Sequence, residues 1–516
     1  MRGLIGGQPL TVGAIFERMR TVNGDGEVVD ARGRTTYRDL ADRVLRLVTV
    51  LRDLGVRPGD RVASFANNSA RHVELYYAVP LAGAVLHMVN IRLHDDQIVY
   101  VVGHAGDTVL IADDDLLDRL PELPGVKHVL GMDAVAALVD GAAPCDDLPV
   151  VDEEDPCGIC YTSGTTGMPK GVVFSHRATY LHAMAACMAD HLAIGHHDRV
   201  LPVVPLFHAC GWGLPYIAPF TGADLVMCGG DTSPENLART IERERVTWAA
   251  GVPTIWTNLL PLAQRGAFDF SSLKTIGIGG AATPAPLMEG WDALGVEILQ
   301  IWGMTETAPV ACTSRPRKRH AGLSAEERRV VRLKTGTIFA GLEARVVGED
   351  GTPLPWDGVS VGELECRGPW VATGYYDDPG LGDRFHDGWL RTGDMAYMEP
   401  DGYFKIVDRS KDLVKSGGEW ISSLDLEAAI MSHPLVREAA VVGVRSVKWD
   451  ERPVAVVAPV DGVAPTLADL HEHLAGRVAK WWLPDDVVVV DEIPKTSVGK
   501  FDKKAIRASL ANKELP

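Results

Sequence analysis

The segment Tyr161–Gly171, YTSGTTGMPKG, restricts this chain more than any other stretch. It holds three Gly, three Thr, one Ser and one Lys within a single loop. Gly164 and Gly167 let the backbone take φ > 0 and come close to a ligand. Successive N–H groups in such a turn form a concave nest for an anion. The hydroxyls of Thr162, Ser163, Thr165 and Thr166 add donors, and Lys170 adds a mobile positive charge. The combination suits a polyphosphate. Pro169 stands where a Walker A loop needs its second Gly, so the loop is not that motif.

The flanking periodicity indicates the scaffold. Residues 36 to 54 predict a helix with Leu40, Val44, Leu47 and Leu51 on one face and Gly55 as its stop. The turn Pro58-Gly59-Asp60 leads into a strand at 61–66, a helix near 73–81 and a strand at 84–89. Apolar runs near 250 and 280 continue the alternation. An α/β fold with mostly parallel sheets follows. In such sheets ligands sit beyond the carboxyl ends of strands. The phosphate loop, Gly279–Ala282 and Trp302–Glu306 each follow a short apolar run. From Gly341 the texture changes to short strands and Gly turns, which predicts a small β-rich subdomain over about 341–409. A compact α+β segment follows. The expected division is an N-terminal domain over 1–409 and a C-terminal domain over 410–516. In the latter, strands are expected at 439–444, 453–460 and 486–490, and a helix presents Leu467, Leu470, Leu474 and Val478 on one face.

A chain of 516 residues is too long for one core. Its net charge of −18 argues against nucleic-acid and anionic-membrane partners, which require clustered Lys and Arg. The run Ser314–His320, SRPRKRH, reads as a solvated face. Eight Cys do not make a disulfide scaffold, and the CxxC at Cys157 and Cys160 has no second pair at zinc spacing. The apolar window 200–223 is broken by four Pro and carries His208, so it reads as buried strand and loop rather than a membrane span. No signal peptide is visible. A reduced cytoplasmic enzyme is the expectation.

The loop resembles the phosphate loop of the adenylate-forming superfamily, which includes acyl-CoA synthetases, aryl-CoA ligases, luciferases and peptide-synthetase adenylation domains. The resemblance runs nearly the length of the chain and looks nearest to medium-chain acyl-CoA synthetases. It implies ATP and Mg²⁺ as cofactors, with CoA as co-substrate. In QIWGMTET it makes Glu306 the magnesium ligand, places Thr305 and Gly303 at the phosphates and sets Trp302 against adenine. Gly280, Ala281 and Ala282 resemble the segment along adenine and the acyl pocket. In RTGD, Asp394 corresponds to the ribose carboxylate; in VDRSKD, Arg409 is the second ribose contact and Lys411 the hinge of a mobile lid. PKTSVGKFDKK makes Lys500 the catalytic lysine, bridging acid and α-phosphate where charge develops. Lys415, Gly417 and Gly418 would line a pantetheine tunnel after the lid rotates.

On the acid side, PLFHACGWGLPY makes His208 the pocket histidine near the carboxylate. Relatives usually carry Asn where Cys210 stands, and Gly or Ala where Ile301 stands. A β-branched Ile301 should narrow the pocket, so a small or flat acid is expected. The implied function is adenylation of a small, aromatic or medium-chain carboxylic acid, release of pyrophosphate, and transfer to CoA. One alternative is a natural-product enzyme that activates nitrite and diazotises an aryl amine without CoA. Another is a non-catalytic ATP-binding module, against which Lys500, Glu306 and Asp394 speak. The acid's identity and a homodimer are left open.

Overall fold

The computed structural model describes residues 6–162, 168–378, 384–416, 419–446, 448–460, 462–496 and 501–511. The calls on Ser163, Gly164, Thr165, Thr166, Gly167, Gly417, Gly418 and Lys500 lie outside these residues.

Among the described residues the strands form four sheets. One orders the strands 128–131, 107–112, 61–65, 85–88, 156–161 and 171–175, all parallel except the final hairpin. A larger sheet carries the parallel core 297–303, 275–278, 248–251, 199–202, 224–226 and 27–30, with antiparallel strands at both ends. This is the mixed α/β class expected, with a large parallel-sheet N-terminal domain and a smaller C-terminal one. A third, antiparallel sheet joins strands between 343 and 409. The fourth, between 414 and 489, buries apolar side chains on both faces, Val441 and Val457 on one and Val442 and Val456 on the other.

The local reasons are legible. The helix Tyr37–Asp53 begins where Thr36 accepts from the Asp39 amide, and Leu40, Val44, Leu47 and Leu51 are buried. The next helix starts earlier than expected, at Ala70, because Ser69 caps the His72 amide. The window 200–223 is not strand and loop throughout: Leu214–Thr221 is a helix with Pro215 in its first turn, where proline lacks no needed N–H. The C-terminal helix stops at Leu474, before Val478, as the backbone turns extended at Ala475 and left-handed at Gly476. No helix among the described residues is long and apolar enough to cross a membrane. The basic run is not simply solvated. Arg315 donates to the His191 carbonyl at 2.6 Å, Arg317 to Thr337 at 3.1 Å and Arg319 to the Asp401 carbonyl at 2.8 Å.

Candidate active site

The strands Pro156–Tyr161 and Gly171–Ser175 pair with Tyr161 opposite Gly171, and the predicted phosphate loop connects them. Its ends are pinned: the Thr162 amide donates to the Lys170 carbonyl at 2.9 Å, and the Lys170 amide to Thr162 Oγ1 at 3.3 Å. Gly171 is closely packed: a Cβ there would lie 3.0 Å from Ile159 Cδ1 and 3.2 Å from the Tyr376 Cβ. Its carbonyl accepts the Tyr376 amide at 2.8 Å, which stitches the hairpin to residues 375–378.

A second wall grows from the strand Glu297–Gly303, whose register shifts between Trp302 and Gly303. A Cβ at Gly303 would lie 2.0 Å from the Pro309 carbonyl oxygen, so no other residue fits this bulge. A single turn, Thr305–Thr307, then buries Glu306. Its Oε1 accepts the Tyr375 hydroxyl at 2.6 Å and Arg384 Nη2 at 3.0 Å. Burial, and then the Glu306 charge, push the Tyr375 hydroxyl pKa well above its ordinary value. Lys170 Nζ lies 3.1 Å from Asp378 and 4.9 Å from the centre of the Tyr375 ring. The lysine of the predicted phosphate loop and the predicted metal ligand therefore meet across one tyrosine. Tyr375, Arg384 and Asp378 escaped the sequence reading.

Asp394 joins the third sheet to this wall. It sits opposite Arg409 in register. Its Oδ1 takes Arg409 Nε at 2.7 Å and its Oδ2 the Trp302 indole N–H at 2.9 Å. The Asp394 charge is the largest influence raising the Arg409 pKa. Trp302 also meets Phe404 edge to face, with ring centres 5.8 Å apart. The Gly280–Ala282 strip is held by Gln300, another residue not anticipated. Its Oε1 accepts the Thr283 amide at 3.1 Å, and its Nε2 donates to the Ala281 carbonyl at 3.4 Å. The only sequence signal for Gln300 is its amide between apolar neighbours in the strand, Leu299 and Ile301.

These parts face one cleft of about 1950 Å³, lined by Lys170, Gly280, Ala281, Ala282, Trp302, Gly303, Thr305, Glu306, Asp394 and Arg409 and reaching His208. On the acid side the chain makes a left-handed turn. Ala209, Cys210, Gly211, Trp212 and Gly213 all have positive φ, from 37° to 75°. L-residues pay roughly 1–2 kcal/mol each for that conformation, and such strain clusters at functional sites. The turn sets Trp212 against Gly279, where a Cβ would lie 2.8 Å from the indole ring. Ile301 lines the cleft as expected, yet Trp212 narrows it too. Cys210 is buried behind this wall, with its thiol pKa pushed well up by burial. The departure at Cys210 therefore changes packing and not the cleft surface.

The C-terminal domain closes the cleft with Thr496, Phe501, Asp502, Lys503 and Lys504, on either side of 497–500. Lys411 lines it also. Asp408 accepts the Ser423 amide at 2.6 Å, and Lys405 pairs with Asp425 at 2.6 Å. Lys415 does not join this group; it is exposed, with Nζ 4.8 Å from the Trp420 ring centre.

Strand ends that gather the hairpin of the predicted phosphate loop, a buried carboxylate and an aspartate–arginine–tryptophan corner beneath a second domain describe a nucleotide-activating ligase. The chain belongs to the AMP-binding enzyme family. That family matches residues 16–376, and the AMP-binding enzyme C-terminal domain matches residues 425–500. It is 43% identical to a long-chain-fatty-acid–CoA ligase of Thermus thermophilus, over 98% of this chain and 96% of that one. It is 40% identical to a 3-methylmercaptopropionyl-CoA ligase of Ruegeria pomeroyi, over 97% of each. Among solved structures it is similar to the anthranilate CoA ligase AuaEII in complex with anthranoyl-AMP, with a TM-score of 0.89 at 25% identity, over 98% of this chain and 99% of that one.

Proposed function

We propose that this protein is an AMP-forming acid–CoA ligase. The observation that carries the reading is the convergence of Lys170, Glu306, the Asp394 corner and His208 on one cleft, with the Thr496 and Phe501–Lys504 segments over it. End-to-end similarity to CoA ligases supports CoA as the acceptor, so the nitrite-activating alternative is not favoured.

In the first half-reaction a carboxylate oxygen attacks the α-phosphorus of ATP, and pyrophosphate leaves. In the second, the CoA thiol attacks the acyl carbon, its proton is lost, and AMP leaves. The substrates of the first step are both anions, so the protein's work is positioning and charge neutralisation. Lys170 and the loop hydroxyls hold the β- and γ-phosphates. Asp394 and Arg409 take the ribose, and the Gly280–Ala282 strip takes adenine against Trp302. His208 orients the acid's carboxylate. Lys500, from the segment bracketed by Thr496 and Phe501, neutralises the charge between carboxylate and α-phosphate. Lys411 is the hinge, and rotation about it brings Lys415, Gly417 and Gly418 to the CoA arm.

The residues present fit magnesium. Glu306 is a buried carboxylate facing the cleft, and no cluster of three His, Cys, Asp or Glu converges among the described residues. One carboxylate plus nucleotide phosphates and waters is how Mg²⁺ is ordinarily held. When bound it would neutralise phosphate charge. The eight cysteines are free thiols, consistent with a cytoplasmic enzyme.

The acid is proposed to be small or flat, because Ile301 and Trp212 fill the wall beside Gly277 and Gly279. A pyrophosphate-release screen over short, medium and aryl carboxylates plus nitrite, with and without CoA, tests this. AMP formation that depends on acid and CoA is expected. A CoA-independent signal with nitrite and an aminoaryl acid would overturn it.

A further inference from the structure

A second histidine lies behind the cleft and has no place in the scheme above. His87, on the strand Val85–Met88, is fully buried. Its Nδ1 lies 2.6 Å from Asp107 Oδ2, and both side chains are completely shielded from solvent. Its Nε2 has no hydrogen-bond partner among the described residues, and neither has Asp107 Oδ1. Leaving a buried polar atom unmatched costs roughly 1–3 kcal/mol. A fold that needed only a filler here would use an apolar side chain.

The surroundings give the unmatched nitrogen a use. His87 lines a small cavity together with Asn90, Tyr161, Thr162 and His208. The space open to a water centre is about 10 Å³, close to the roughly 10–15 Å³ that one water requires. Thr162 opens the phosphate hairpin, and His208 also lines the cleft. The cavity therefore lies between the two halves of the site, with a carboxylate-anchored imidazole on its wall. Asp107 beside Nδ1 favours the tautomer with its proton on Nδ1, which leaves Nε2 as an acceptor.

We infer that His87 is a positioning residue for the acid: anchored by Asp107, its Nε2 bonds through one water to the Thr162 and His208 side of the cavity and fixes His208 toward the carboxylate. This rests on the ligase reading and on the place given there to His208. His87 does not touch substrate.

Two substitutions separate positioning from packing. In His87→Asn the amide replaces Nδ1, keeps the bond to Asp107 and vacates the Nε2 place. In His87→Gln the amide reaches the Nε2 place and leaves Asp107 unmatched. Acid-dependent ATP–pyrophosphate exchange is measured for both, with the thermal midpoint of each. Positioning predicts that His87→Asn is the more stable and the less active, with kcat/KM for the acid down about tenfold and KM for ATP unchanged. His87→Gln should keep most of that activity despite a lower midpoint. Activity that follows the midpoint, or an equal loss for acid and ATP, overturns the inference. If neither variant folds, Asp107→Asn decides: it should lower kcat/KM for the acid alone, and unchanged acid kinetics overturn the role. An unsubstituted enzyme without acid-dependent exchange would sink the ligase reading itself. Lost ordering in an active enzyme sinks only His87.

Discussion

Trp302 shows how one residue can carry two roles that sequence separates poorly. Its ring lines the cleft, while its N–H fixes one oxygen of Asp394 and Arg409 takes the other. Trp302→Phe keeps a ring and deletes the donor. A hydrogen bond to a charged group contributes about 1.5 kcal/mol or more, so KM for ATP should rise about tenfold with KM for the acid unchanged. Steady-state kinetics with each substrate varied in turn checks this. The identities of Trp302, Asp394, Arg409 and Glu306 were legible because each sits in a dense motif. The contacts among them were not, since Trp302 and Asp394 are 92 positions apart and Arg384 reaches Glu306 across 78. Tyr375 and Arg384 act through such long-range pairings, and nothing in their immediate neighbours announces it.

At the scale of elements, the bulge at Gly303 and the left-handed turn at 209–213 aim the two walls of the cleft. The bulge leaves no room for a methyl group against the Pro309 carbonyl. Gly303→Ala should cost about 3 kcal/mol or more, seen as a large fall in the thermal midpoint or as loss of soluble protein. Helices and parallel strands were readable from apolar period and stop signals, as for the helix Tyr37–Asp53, expected over 36–54. The left-handed turn was not. Of its five residues only Gly211 and Gly213 advertise positive φ, and Ala209, Cys210 and Trp212 take it without any such sequence signal.

For the whole molecule, the proposed reaction has two domains alternate over one cleft. Lys500→Ala should abolish acid-dependent pyrophosphate release while sparing thioester formation from a supplied acyl-adenylate. Equal loss of both half-reactions would remove Lys500 from the role proposed. Acid stability is a second property of the assembled chain. His176, His182 and His191 are buried, and each accepts a backbone amide, from Val12, Val310 and Ala340 respectively. Burial lowers their pKa values from 6.5 to about 4, about 3 and about 4. A histidine with a depressed folded pKa binds its proton first in the unfolded chain. Its stabilising contribution is therefore complete above pH 6.5 and falls as the pH drops toward 4. At pH 5.5 each site should cost about 1 kcal/mol. Urea midpoints measured from pH 7.5 to 5 should decline over that window, and His182→Gln should flatten the decline.

The pairing of Lys170 with Asp378 and of Arg384 with Glu306 has a further consequence. Among the described residues, these two cations at the proposed nucleotide end of the cleft are each already matched by a carboxylate before anything enters. A simple polyanion would have to strip away a carboxylate and leave it stranded. A visitor bearing both signs, such as a metal–nucleotide complex, can exchange partners with every group and strand none. On the proposed reading, this resting arrangement of four side chains would favour the complexed triphosphate over free phosphate, sulfate or citrate.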